Sequence, residues 1–212
     1  MTAFPTDSGT GGDRPVVAVD LFCGVGGLTY GLRREGIKVA AGYDLEGSCR
    51  FAFEHNNPGA KFYERDVTKV TAAEILDLYP PDAVKVLVGC APCQPYSSAA
   101  AKTKIGKEQA ELEAEWKPLR AFLDLILAVK PDVVSMENVV RLATPGKFPV
   151  YADFKARLAE AGYTVGEHRV FGPDYGIPQA RRRLVLFAAR NGPVKLPEKT
   201  HRKAEYPTAR RA

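Results

Sequence analysis

Val16-Val17-Ala18-Val19-Asp20-Leu21-Phe22-Cys23-Gly24-Val25-Gly26-Gly27 is the stretch on which the fold turns. Val16 to Phe22 is an apolar run of strand length. A glycine turn follows, and then an amphipathic run from Leu28 to Glu35. Strand, glycine turn and helix in that order open a nucleotide-binding α/β unit. Glycine permits the tight turn and lets backbone approach a ligand. The turn lacks the Lys-Ser/Thr ending of a phosphate-binding loop, which disfavours a nucleoside triphosphate.

Reading outward, the alternation continues. Lys38 to Tyr43 is a second strand, ending at Asp44, about 20 residues past the glycine turn, where a carboxylate would meet ribose hydroxyls. Asp44 is equally placed to cap a helix over Gly47 to His55. Phe62 to Val67 is a third strand with Asp66 at its exit. Thr71 to Leu78 is a short helix whose Thr71 and Glu74 have capping-box spacing. Val84 to Gly89 is a fourth strand, and it delivers Cys90-Ala91-Pro92-Cys93-Gln94. A cysteine behind a rigid proline at a strand mouth is a candidate nucleophile, and Cys90/Cys93 is equally a candidate redox pair. Ser97 to Lys117 has no consistent apolar face until Trp116 and reads as a mobile loop, a candidate lid. Leu119 to Val129 has helical spacing. Asp132 to Met136 is a fifth strand that delivers Glu137-Asn138-Val139. Tyr151 to Ala161 is a helix. Tyr163 to Phe171 and Leu184 to Ala189 are strands with no helix between them, so they pair antiparallel. The pattern is an α/β sheet with its chemistry at the carboxyl ends of the strands.

The bulk numbers set bounds. A chain of 212 residues with 45% apolar and 26% charged residues is an ordinary globular composition. No apolar run reaches the ~18 residues of a membrane span. Met1 to Arg14 lacks the basic start and apolar core of a secretory signal. Four irregularly spaced cysteines fit a reducing cytoplasm rather than a disulfide scaffold. The net charge is +5, and Lys195 to Ala212 holds six Lys/Arg against two Glu. Such a stripe suits a polyanion, or is a solvated tail. One Cys-x-x-Cys with scattered His55, His168 and His201 supplies no second ligand pair for zinc. The expected organisation is a disordered leader (1–14), a catalytic and cofactor-binding domain (15–192) and a basic tail (193–212).

Four separated motifs carry a resemblance. Asp20-Leu21-Phe22-Cys23-Gly24-Val25-Gly26-Gly27, Pro92-Cys93-Gln94 with Ser97, Glu137-Asn138-Val139, and Gln179-x-Arg181-x-Arg183 resemble, in order and spacing, motifs of the DNA cytosine-C5 methyltransferases. The likeness runs from about Val16 to His201. It departs at Cys90 and Ala91, where the family tends to use Gly or Pro. It also departs in length, because the family's target-recognition domain and final helix are missing. The chain reads as a catalytic half, either a split subunit or a truncated product.

The resemblance implies a Rossmann-like methyltransferase fold, a mixed, mostly parallel sheet with a terminal antiparallel pair. It implies S-adenosylmethionine as methyl donor, double-stranded DNA as substrate, and a second polypeptide for sequence choice. Phe22, Gly24, Val25, Gly26, Gly27, Asp44, Asp66, Val67 and Pro92 would form the cofactor site. Cys93, Glu137, Arg181 and Arg183 would be catalytic. The chemistry fits these residue types. Carbon 5 of cytosine is a poor nucleophile until a thiolate adds to carbon 6, and a thiolate also leaves readily. Glu137, if protonated, can donate to ring nitrogen 3, and burial would favour that form. The bland alternative for Glu137 is a strand-end carboxylate paired with an arginine. Arg181 and Arg183 would share one face of a strand. Gln179 would support the loop, and Cys23 and Cys49 would be packing residues. Two rival functions remain at this point: a thiol-disulfide oxidoreductase using Cys90 and Cys93, and a catalytically incomplete DNA-binding or regulatory subunit. An RNA cytosine is a further substrate on the same logic.

Overall fold

The computed structural model describes residues 14–92 and 109–208. The leader, the cysteine Cys93 and its following segment to 108 lie outside the described residues. Seven strands form one sheet in the order β3-β2-β1-β4-β5-β7-β6. They are β1 (Val16–Leu21), β2 (Lys38–Asp44), β3 (Lys61–Glu64), β4 (Val84–Gly89), β5 (Val133–Asn138), β6 (Thr164–Phe171) and β7 (Arg182–Ala189). The helices are α1 (Gly27–Arg34), α2 (Arg50–Asn56), α3 (Ala72–Leu76), α4 (Gln109–Val129) and α5 (Pro149–Glu160). The first five strands run parallel. β7 is inserted antiparallel between β5 and β6, with Glu137 opposite Val185 and Phe171 opposite Arg182.

Both faces of the sheet are buried, as continuous apolar strands require. Val17, Val19, Leu21, Leu87, Val134 and Met136 pack on one side with Leu119, Phe122, Leu123 and Ile126 of α4 and Phe154 and Leu158 of α5. Ala18, Val39, Val86 and Val88 point the other way, onto Phe53 and Cys23. The period-2 alternation of strand side chains produces this division. The antiparallel terminal pair and the Thr71–Glu74 capping box are as the sequence reads.

Three differences have physical causes. α4 begins at Gln109, so 109–117, expected as loop, is helical. The helix continues through Pro118, which forgoes one backbone hydrogen bond but leaves Trp116 and Leu119 buried on the same side. Asp44 does not cap the following helical segment. Glu46 does, accepting from Ser48 N in a 3-10 turn over Gly47–Cys49. The basic tail is largely exposed, as a solvated tail is, but it is anchored at Asp174 between residues 199 and 206. Thr200 N and His201 N donate to the Asp174 carbonyl at 3.0 and 3.1 Å, Lys199 Nζ lies 2.8 Å from Asp174 Oδ2, and the Tyr206 hydroxyl donates to Oδ1.

Close packing under the glycine turn sets a demand at Gly42. A Cβ there would lie 2.5 Å from the Phe53 ring and 2.7 Å from Cys23 Sγ. Phe53 is fully buried and has nowhere to move. Gly42→Ala is expected to cost about 1–3 kcal/mol of stability by overpacking. The check is a lower urea midpoint at unchanged denaturant slope.

Candidate active site

The carboxyl ends of β1, β2, β4 and β5 converge on two adjoining features. The first is a cavity of about 240 Å³ lined by Phe22, Asp44, Asp66, Val67, Cys90 and Pro92, together with Leu45, Thr68 and Pro118. The glycine turn forms where β1 stops. Phe22 takes φ 59°, and Gly24 and Gly26 take φ 50° and 85°, a left-handed backbone that glycine adopts without strain. Gly26 is closely packed, since a Cβ there would meet Asn57 at 2.5 Å and Phe53 at 2.7 Å. Gly24 and Gly27 have open space around them. Val25 is exposed at the tip of the turn.

Asp44 links this turn to β2. Its Oδ2 accepts from Gly24 N at 2.8 Å and its Oδ1 from Glu46 N at 2.9 Å. Each carboxylate oxygen has a second lone pair, so Asp44 keeps acceptor capacity toward the cavity. Asp66 Oδ1 accepts from Thr68 N and Thr68 Oγ1 at 2.9 and 2.8 Å, and these bonds hold its carboxyl below its ordinary pKa. It stays anionic and can accept from an amine. An aromatic ring and two hydroxyl- or amine-accepting carboxylates form a lining that fits a nucleoside, and Gly24 to Gly27, which follow Phe22, are not among the lining residues.

The second feature lies beside the first. Glu137 is next to last in β5, and its carboxyl is held from two sides. Arg183 Nε lies 2.6 Å from Oε1, and the Cys90 thiol donates to Oε2 at 2.9 Å. The side chains of Arg183 and Glu137 are 22% and 31% exposed, so the pair is open to a ligand rather than sealed in the core. The expected deep burial of Glu137 is therefore not found, because the antiparallel β7 brings an arginine to it. Asn138 is fully buried. Its amide donates to the Ala91 carbonyl at 3.1 Å, tying the end of β5 to the segment that leads to Cys93. Arg181 falls in the turn before β7 and is exposed there, so it does not share the strand face of Arg183. Gln179 N and Arg181 N donate within that turn, at 2.8 and 2.7 Å. Cys93 itself lies outside the described residues. Cys23 is buried, which pushes its thiol well above the ordinary range, and Cys49 packs against the same apolar cluster.

Asp20 belongs to the first motif, yet nothing in the sequence pattern assigns it a role. It is fully buried at the base of the glycine turn, where Oδ2 accepts from Thr29 Oγ1 at 2.7 Å and pins α1 to β1. Its Oδ1 has no partner among the described residues. A charged residue inside an apolar strand is the signal that could have marked it.

A strand order with β7 antiparallel between β5 and β6, and this arrangement at the strand ends, define the Rossmann-like S-adenosylmethionine-dependent methyltransferase fold. The chain belongs to the C-5 cytosine-specific DNA methylase family, whose sequence pattern matches residues 16–211. The Type II methylase M.HgiDII of Herpetosiphon aurantiacus is 44% identical over 192 residues, covering 91% of this chain and 52% of its own length. The Type II methyltransferase M.AquIA of Picosynechococcus is 27% identical, covering 86% of this chain and 76% of its own. Among solved structures, EhMeth of Entamoeba histolytica superposes with a TM-score of 0.68 at 19% identity, over 90% of this chain and 58% of that one. The Dnmt2 methyltransferase of S. pombe superposes with a TM-score of 0.65 at 20% identity, over 85% and 53%. These superpositions speak to the fold. The chain spans about half the length of M.HgiDII and of M1.HphI.

Asp20 gives a pH signature. Burial, with a smaller push from Asp44 and against the Thr29 hydrogen bonds, raises its carboxyl from 3.8 to about 7. The folded state then binds a proton that the unfolded state releases between about pH 4 and 7. Asp20 therefore favours the folded state most at low pH, and that contribution is lost as pH rises to about 7. Asp20→Asn should flatten this part of the profile. The measurement is chemical unfolding at pH 5 and pH 7.5 in both proteins, and equal slopes would contradict it.

Proposed function

We propose that this chain carries the catalytic part of an enzyme that methylates carbon 5 of cytosine in DNA. The observation that carries the proposal is the meeting of Glu137 and Arg183 beside a nucleoside-sized lining of Phe22, Asp44, Asp66 and Pro92, in a chain of this family. S-adenosylmethionine, when bound, supplies the electrophilic methyl group. For it, Phe22 would pack on the adenine, Asp66 would accept from the adenine amine, and Asp44 would accept from the ribose hydroxyls. Gly24 to Gly27 would face the methionine end, with Val67 and Pro92 as walls.

Cys93, three residues past the Cys90 N–H that closes the β1–β4 ladder, is the assigned nucleophile. Its thiolate adds to carbon 6, forming the S–C6 bond and moving an electron pair into the ring. Protonated Glu137 would donate to nitrogen 3 as that charge develops. Arg183 steadies the Glu137 carboxyl. After methyl transfer, water takes the carbon 5 proton, that C–H electron pair re-forms the double bond as the S–C6 bond breaks and Cys93 leaves as thiolate, and nitrogen 3 returns its proton to Glu137. A ring stacked in a duplex cannot be reached this way, so the base must be flipped out.

A candidate path for the DNA lies beside the β6–β7 pair. A cleft of about 810 Å³ is lined by Arg169, Arg182, Lys199 and Lys203, with Val140. Arg182 stacks on Phe171 at 4.3 Å and keeps its donors exposed. The one acid in the lining, Asp174, is already held by Lys199 and Tyr206. Such a cleft suits backbone phosphates. Sequence choice is assigned to a target-recognition region, in a further segment or a second polypeptide.

Three measurements test this reading. Trapping on 5-fluorocytosine DNA should give a covalent adduct at Cys93. Cys93→Ala should lose methyl transfer by roughly a thousand-fold or more, and Glu137→Gln by about a hundred-fold. Undiminished methylation by Cys93→Ala would remove the nucleophile assignment. Replacing Arg182 and Lys203 by Gln should lower DNA affinity evenly across sequences and reduce the salt slope by about one for each cation removed. An unchanged slope would take the cleft out of the DNA path.

A further inference from the structure

We infer that Cys90 is a positioning residue for Glu137, its thiol fixing one carboxyl oxygen while Arg183 fixes the other. The inference rests on the reading in which Glu137 touches the target ring. Cys90 stands where the resembled family tends to use glycine, a residue that has no side chain to make this contact.

The backbone holds Cys90 firmly. Its N–H donates to the Leu21 carbonyl at 3.2 Å, extending the β1–β4 ladder one residue past the end of β4. From that anchor the side chain reaches Glu137 Oε2 at 2.9 Å. On the other side Arg183 Nε lies 2.6 Å from Oε1, and its Nη1 donates to the Arg182 carbonyl at 2.8 Å. The carboxyl therefore has a donor on each oxygen, from the ends of two different strands. A glutamate side chain has three rotatable bonds, and two donors on opposite oxygens select one orientation of its carboxyl plane.

The next residue pair repeats the connection. Asn138 donates to the Ala91 carbonyl at 3.1 Å and accepts from Val139 N at 2.9 Å. Residues 90 and 91 are thus latched to residues 137 and 138, side chain to side chain and side chain to backbone. The latch joins the segment leading to Cys93 to the residue assigned to the ring. Cys90 also lines the cofactor-sized cavity, so one residue borders that cavity and touches the Glu137 carboxyl. Each carboxylate oxygen has a second lone pair, which can accept from a base's exocyclic amine or take up the proton that Glu137 gives to nitrogen 3 with both donors in place.

The test has two arms on the complete protein. In the first, iodoacetamide alkylation of Cys90 is followed by tandem mass spectrometry, which separates Cys90 from Cys93. A carboxylate touching the thiol disfavours the reactive thiolate, so Glu137→Gln should speed Cys90 alkylation several-fold. Equal rates would overturn the contact. In the second arm, Cys90→Ala should lower kcat for methyl transfer about ten-fold, with the unfolding midpoint near wild type. Cys90→Ser keeps a donor and should restore kcat to within about two-fold, scaling with the strength of a hydrogen bond to a charged group. Unchanged kcat in Cys90→Ala, or equal losses in Ala and Ser, would overturn the positioning role. A wild type that neither methylates nor forms an adduct would sink the methyltransferase reading, and the alkylation arm would still decide whether the contact exists.

Discussion

The candidate site depends on the antiparallel register between β5 and β7. Residues 133–138 of β5 lie opposite 189–184 of β7, and that register carries Arg183 to the end of the sheet where Glu137 stands. Because strand side chains alternate, a slip of one residue would turn Arg183 away and present Arg182 or Leu184 instead. Leu184 and Leu186 are fully buried against the sheet's inner face, so the hydrophobic pattern of β7 penalises any slip. The core thus enforces an ion pair that contributes little to stability itself. A partly exposed pair of this kind is worth on the order of 1 kcal/mol or less.

The same logic holds on the cofactor side. Phe53 fills the space left by Gly26 and Gly42, and in doing so brings the end of β2 against the glycine turn. Asp44 then bridges the two by accepting from Gly24 N. Its position is settled by packing before any ligand arrives, and a preorganised acceptor loses less freedom on binding.

Much of this is legible in the sequence. Continuous apolar runs mark the strands, because a sheet buried on both faces leaves no alternation to blur them. Glycine clusters mark the turns, because few other residues tolerate a positive φ. The contacts that build the site are harder to read. Glu137 admits two readings, a ring-facing acid and an arginine-paired carboxylate, and the structure supplies the second without removing the first. Nothing local in residues 90 and 137, 47 positions apart, announces that a thiol meets a carboxyl. Asp174 looks like an ordinary turn residue, yet it gathers the tail through its carbonyl and its carboxyl. The start of α4 is hidden because an amphipathic face is visible only where side chains already have something to cover. Each of these features is a long-range pairing, which local propensity does not encode.

The seating of the tail on Asp174 has a consequence for the charged surface. Tyr206 stacks edge-on against Phe171 at 5.8 Å and lines the basic cleft. Lys199, Lys203 and Tyr206 of the tail are thereby held in one cleft wall with Arg169 and Arg182 of the sheet. The anchoring at Asp174 makes the charged cleft a joint product of the tail and the antiparallel strand pair.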